Sequence, residues 1–133
     1  MIVPMRNVLG GELQDCGTDP MTGFTRSGRC EVTPDDLGVH GICAVMTKSF
    51  LQHQLSVGND LVTPRPAWAF PGLRPGDRWC VVAVRWLQAQ REGLAAPVVL
   101  ASTHESVLEV VSLPLLQQYA VDVPDDVSGL THG

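Results

Sequence analysis

The sequence predicts a single compact α+β domain, with a small sheet, packed helices and a long ordered irregular segment between residues 58 and 78. Three observations lead there. Short β-prone runs each feed a stretch with helical spacing, the pattern of strands interleaved with helices. Residues 63–86 hold all three tryptophans, four of the ten prolines and four of the eight arginines. Such a segment is too rich in Pro and Gly for a long helix or a central strand, and too aromatic for a loose linker. Finally, 133 residues with 44% hydrophobic content suffice for one core without help from metal or disulfide.

Taken in chain order, residues 1–32 carry five glycines and two prolines with little periodicity, and read as turns and short extended pieces. Thr33-Pro34-Asp35-Asp36 has the composition of a helix start, stopped within about one turn by Gly38. Ile42-Cys43-Ala44-Val45-Met46 is a compact apolar run. Thr47 caps a helix from Lys48 to Val57, with Phe50, Leu51 and Leu55 at helical spacing and Gly58 as the stop. Trp79-Cys80-Val81-Val82-Ala83-Val84 reads as a buried strand before a short helix from Trp86 to Glu92; the competing reading is one helix from Arg78 to Glu92, capped by Asp77. Pro97-Val98-Val99-Leu100-Ala101 is the third run. Thr103 caps the stretch carrying Val107, Leu108 and Val111, and Ser112-Leu113-Pro114 restarts a helix through Tyr119. The whole of 1–133 is one domain, its ordered core spanning 6–121 and residues 122–133 forming a frayed tail.

The net charge of −5 is unevenly spread: −3 over residues 1–60, +3 over 61–93 and −5 over 94–133. That balance excludes non-specific nucleic-acid binding, which needs a net basic face. No apolar run approaches the roughly 20 residues of a membrane span, and no secretory signal is visible at the start. Four cysteines without an export signal read as free thiols in a cytoplasmic protein.

The residues that can carry chemistry are few. Cys16, Cys30, His40 and His104 are the catalytic candidates, with Asp15, Asp19, Asp35 and Asp36 as carboxylate partners for His40. No metal site is expected. Cys16, Cys30, His40 and Cys43 are the only candidate ligands for zinc, which needs thiolates and imidazoles converging tetrahedrally. Cys43 and Cys80, set inside apolar runs, read equally well as buried small hydrophobes. The basic middle segment offers a site for a small anionic ligand, built from Asn59, Asp60, Arg65, Asp77, Arg78, Trp79 and Arg85. Asp60 is placed to pair with Arg65 or Arg78, and Arg78 and Arg85 to stack on Trp79 or Trp86. No phosphate loop and no nucleophile elbow is present.

Asn7-Val8-Leu9-Gly10-Gly11, Cys16, Thr22-Gly23-Phe24, Cys30, Asp36, His40, Cys43-Ala44, Met46-Thr47, Phe50-Leu51, Gly58-Asn59-Asp60-Leu61, Phe70-Pro71-Gly72-Leu73, Pro75-Gly76-Asp77-Arg78-Trp79-Cys80, Arg85-Trp86, Pro97-Val98 and Thr103-His104 together resemble one family. It is the mostly bacterial set catalogued as domain of unknown function twenty-two thirty-seven, and the resemblance runs from Asn7 to Ala120. It implies no activity or cofactor, but places all four cysteines, His40 and His104 at family-pattern positions. Arg29-Cys30 stands where the family often has two adjacent cysteines, which argues against a mechanism needing a vicinal pair. The leading expectation is a small binding or accessory domain for an anionic ligand or protein partner. The rivals are a thiol- or metal-dependent enzyme using Cys16, Cys30, His40 and Cys43, and a structural homo-oligomer.

Overall fold

A computed structural model describes residues 5–18, 20–23, 25–68 and 70–122. The expected tail from 123 onward and the carboxylate of Asp19 lie outside them. Strand β1, Ile42–Val45, pairs antiparallel with β2, Arg78–Val81, in the register Ile42↔Val81, Cys43↔Cys80, Ala44↔Trp79 and Val45↔Arg78. Residues 97–99 lie along the other edge of β1: Val45 N donates to Pro97 O at 2.8 Å and Val99 N to Cys43 O at 2.8 Å. The third apolar run is therefore a single bridging residue, Val98, paired with Ala44 and Ala120, and not a strand. It turns at once into a 3-10 helix, Leu100–Ser102, whose first amides are held by the Asp122 carboxylate. Asp122, expected in the tail, is thereby anchored.

The pleat explains the layout. Ile42, Ala44, Trp79 and Val81 point to one face, the main core, where Phe50, Trp86, Leu100, Val107 and Leu116 meet them. Cys43 and Cys80, one residue out of phase, point to the other and form a second buried cluster with Cys16, Cys30 and Val99. Helix α1, Lys48–Ser56, begins at Thr47, whose hydroxyl accepts from Phe50 N at 3.1 Å. Phe50 and Leu51 are buried as expected, while Leu55 is half exposed. The segment 78–92 follows the strand-then-helix reading, although α2, Ala83–Arg91, starts three residues earlier than expected. The strand ends once Val81 has paired with Ile42, and Ala83 N then donates to Val39 O at 3.0 Å. Trp86, fully buried in α2, donates its indole N–H to Ala96 O at 2.9 Å and meets Tyr119 edge-on. Helix α3, Leu113–Gln118, is capped by Ser112 with Pro114 in its first turn.

Two further expectations change. Residues 33–39 form two successive turns, closed by Asp36 N to Thr33 O and Val39 N to Asp36 O, and not a helix. The Asp36 carboxylate is committed to His40 instead of capping its own turn. The cysteines are not free: Cys16 is joined to Cys43 and Cys30 to Cys80. Cα separations of 5.6 and 5.3 Å are those disulfides require. The expectation of free thiols rested on sequence context alone. The pairing is tertiary: the ladder sets Cys43 opposite Cys80, and the 15–30 loop lays one cysteine over each. With the cysteines paired, the thiol argument for a cytoplasmic setting falls away.

Candidate ligand cleft

Three pieces of chain converge on one open cleft of about 300 Å³. The first is the 15–30 loop, pinned by the Asp15–Arg29 bridge and ion pair at 2.8 Å and by Cys16 N donating to Gly28 O at 2.7 Å. Arg26 stands at its tip with φ of 58°, the left-handed region that non-glycine residues rarely occupy. Its guanidinium lies 4.9 Å from the centre of the Trp79 ring.

The second is the turn before β1. Asp36 is buried, and its carboxylate accepts from His40 N at 2.8 Å and contacts His40 Nδ1 at 2.6 Å. A carboxylate only accepts, so Nδ1 carries the proton in this pair. Between them Val39, a β-branched residue, is held at φ of 57°, a strained conformation for such a side chain. The turn bonds and the Val39 carbonyl's bond to Ala83 N keep it there.

The third is the 58–78 segment, ordered as expected, but by backbone bonds as much as by aromatics. Arg65 and Phe70 exchange both backbone bonds, at 2.7 and 3.1 Å, around a 3-10 turn, Pro66–Trp68. Leu73 N donates to Leu61 O at 2.8 Å. Gly72 has φ of +80°, and a Cβ there would strike the Val62 carbonyl. Phe70 packs edge-on against Trp79 at 5.2 Å, whereas Trp68 is 70% exposed beside Arg65, whose guanidinium is 5.9 Å from its ring centre. Asp60 accepts from Val62 N and Thr63 N at 3.0 Å each and stands 4.0 Å from Arg65. Hydrogen bonds from Thr63 foremost, then from Val62, with the Arg65 charge adding, hold the Asp60 carboxyl below its usual range. Asn59 is fixed to Gln54 through its side-chain amide at 2.8 Å.

Of the residues expected to bind a ligand, Asn59, Asp60, Arg65 and Trp79 line this cleft, as does His40. Asp77, Arg78 and Arg85 do not. Asp77 accepts from Arg74 N at 2.9 Å in a turn, Arg78 opens β2 beside Gly17, and Arg85 reaches Val57 O at 3.5 Å. The arginines that stack on tryptophan are Arg26 and Arg65, not Arg78 and Arg85. Arg26, Leu61, Trp68 and Phe70 were missed; nothing in Thr25-Arg26-Ser27 separates that arginine from any other in a turn. His104 is away from the cleft: its Nδ1 accepts from Ser106 N at 3.0 Å as cap of the 3-10 helix Glu105–Glu109, the capping place expected for Thr103. Thr103 instead accepts from Cys43 N and donates to Val99 O. A narrower recess of about 60 Å³ shares His40, Asn59, Leu61 and Trp79 with the cleft and reaches Cys80, Val81 and Val82.

The fold is thus a disulfide-stapled α+β domain with a guanidinium- and indole-rich cleft. The chain belongs to the family described as uncharacterized protein conserved in bacteria (DUF2237), whose model matches residues 6–120. No curated protein matches the chain. Among the described residues, no helix is long and apolar enough to cross a membrane.

Proposed function

We propose that this is a ligand-binding domain whose cleft receives a small anionic molecule carrying a flat face. One observation carries the reading: among the described residues, both arginine–tryptophan stacks line the same cleft. A guanidinium over an indole leaves its uncommitted N–H groups to a carboxylate or phosphate; Arg26 already gives Nη1 to Gly23 O at 2.9 Å, and Arg65 has Asp60 at 4.0 Å. The exposed indole of Trp68 offers a stacking surface, and His40, oriented by Asp36, adds a polar group at the wall. A thiolate nucleophile has no place in this reading, because all four sulfurs are in disulfides.

The test is a fluorescence titration with benzoate and with inorganic phosphate. Trp68 and Trp79 report on the cleft, while Trp86 is sealed in the core. A saturable change is expected, and Arg26→Ala and Arg65→Ala should each weaken it about tenfold, the equivalent of ~1.4 kcal/mol. No saturable response to either anion, or an identical one in the double variant, sinks the proposal.

A further inference from the structure

The second buried cluster is a sulfur cluster. The Sγ atoms of Cys16, Cys30 and Cys80 all lie within 4.8 Å of one another, and the sulfur of Cys43 is bonded to that of Cys16. All four residues are between 0 and 2% exposed, with Val45 and Val99 packed around them. Cys43 stands outside that trio and joins it through its bond to Cys16, so the two links pack against each other in one buried cluster.

We infer that, once both disulfides are reduced, these four cysteines constitute a thiolate site for a closed-shell, borderline-soft cation, with Zn²⁺ as its natural occupant. Tetrahedral zinc with Zn–S near 2.3 Å sets its sulfurs about 3.8 Å apart. Cys16 Sγ, within 4.8 Å of both Cys30 and Cys80, is therefore at most about 1 Å beyond that spacing, and the bonded Cys30–Cys80 pair opens toward it once reduced. Two ligands sit on a fixed frame, Cys43 and Cys80 facing each other across the ladder, and two on a loop able to adjust, Cys16 and Cys30. Four protein ligands with no solvent opening make a structural site, not a catalytic one. The chemistry balances simply. Each disulfide takes two electrons and two protons from one dithiol, which leaves as its own cyclic disulfide. The cation then displaces the thiol protons to solvent. The oxidised protein holds itself together with two covalent links, and the reduced protein does so with one ion.

The full chain, reduced with dithiothreitol, freed of it under nitrogen and titrated with Co²⁺ and then Zn²⁺, provides the test. The expected result is one ion per chain, thiolate charge-transfer and tetrahedral d–d absorption, and displacement of cobalt by zinc. Zinc should also raise the Tm of the reduced chain while leaving that of the oxidised chain unchanged. Cys80→Ser should weaken cobalt binding at least tenfold. If that variant does not fold, alkylation of the reduced wild-type chain serves instead, with zinc protecting all four thiols. The inference is overturned by an octahedral or absent cobalt spectrum, or by a reduced chain that zinc neither stabilises nor protects.

Discussion

The Cys30–Cys80 disulfide closes a loop of 50 residues, the longer of the two cross-links. Removing it as Cys30→Ala/Cys80→Ala restores freedom to the unfolded chain while leaving two buried small apolar side chains. In the chain-entropy description the cost is about 4 kcal/mol for 50 residues, against about 3.6 kcal/mol for the 27 residues closed by Cys16–Cys43. Unfolding entropy near 2.1 cal/mol/K per residue over 133 residues makes each kcal/mol worth roughly 3.6 °C. The variant should therefore melt about 14 °C below the oxidised parent. Calorimetry of both proteins in the same buffer without reductant reads the difference. A domain is stable by only about 5–15 kcal/mol, so losing both links brings the chain close to unfolding at 37 °C. A variant melting within a few degrees of the parent would refute this reasoning. So would four alkylatable thiols in native protein purified without reductant.

Three further outcomes follow from particular residues. Gly72→Ala places a Cβ against the Val62 carbonyl at φ of +80° and should cost about 2 kcal/mol or more, whereas Gly76→Ala, at φ of +96° with open space around it, should cost only the backbone term of about 1–2 kcal/mol; denaturant melts of the two separate clash from conformation. Burial lowers the His104 pKa from its ordinary 6.5, with Glu105 and Glu31 only partly opposing, so below 6.5 the unfolded chain takes up the proton first; stability should be full above that pH and fall as pH drops toward the folded value, and His104→Gln should flatten this part of the pH–stability curve. Trp86→Phe leaves the buried Ala96 carbonyl without its indole donor and opens space in the core, at an expected cost of about 2–3 kcal/mol in a urea melt.

What was legible in the sequence was whatever short-range chemistry decides. Thr47 and Ser112 cap the helices assigned to them because a hydroxyl before an apolar turn is a local signal. The strand at Trp79 was readable from its β-branched content, and the ordered 58–78 segment from prolines and aromatics in one place. What failed depended on distant partners. Thr33-Pro34-Asp35-Asp36 has every local mark of a helix start, but Asp36 binds the His40 side chain and Val39 is tied to Ala83, 44 residues on. The disulfides escaped notice for the same reason, since neither a 27- nor a 50-residue separation is visible as a motif. Arg26 reaches the cleft only because the 15–30 loop folds over β2, so no local rule selects it above Arg78 or Arg85.

Cleft and sulfur cluster share a strand, and that links their chemistry. Trp79 and Cys80 are neighbours on β2: the first carries the Arg26 stack, the second anchors one end of a disulfide. Arg26 lies between Cys16 and Cys30, so both ends of its loop are fastened by the covalent links. Holding Arg26 at positive φ costs about 1 kcal/mol, comparable to the 0.5–1 kcal/mol an exposed cation–π contact returns. The stack therefore depends on the loop being held. Reduction without metal should release Arg26 from Trp79 and weaken benzoate binding about two- to fivefold, the factor that 0.5–1 kcal/mol supports. The indole N–H resonance of Trp79 reads the same event without ligand: it should shift on reduction, return toward its oxidised position when zinc is added, and leave the core resonance of Trp86 nearly in place. A Trp79 signal indifferent to reduction, in a chain that remains folded, would show that the loop is held by its Asp15–Arg29 pairing and not by sulfur.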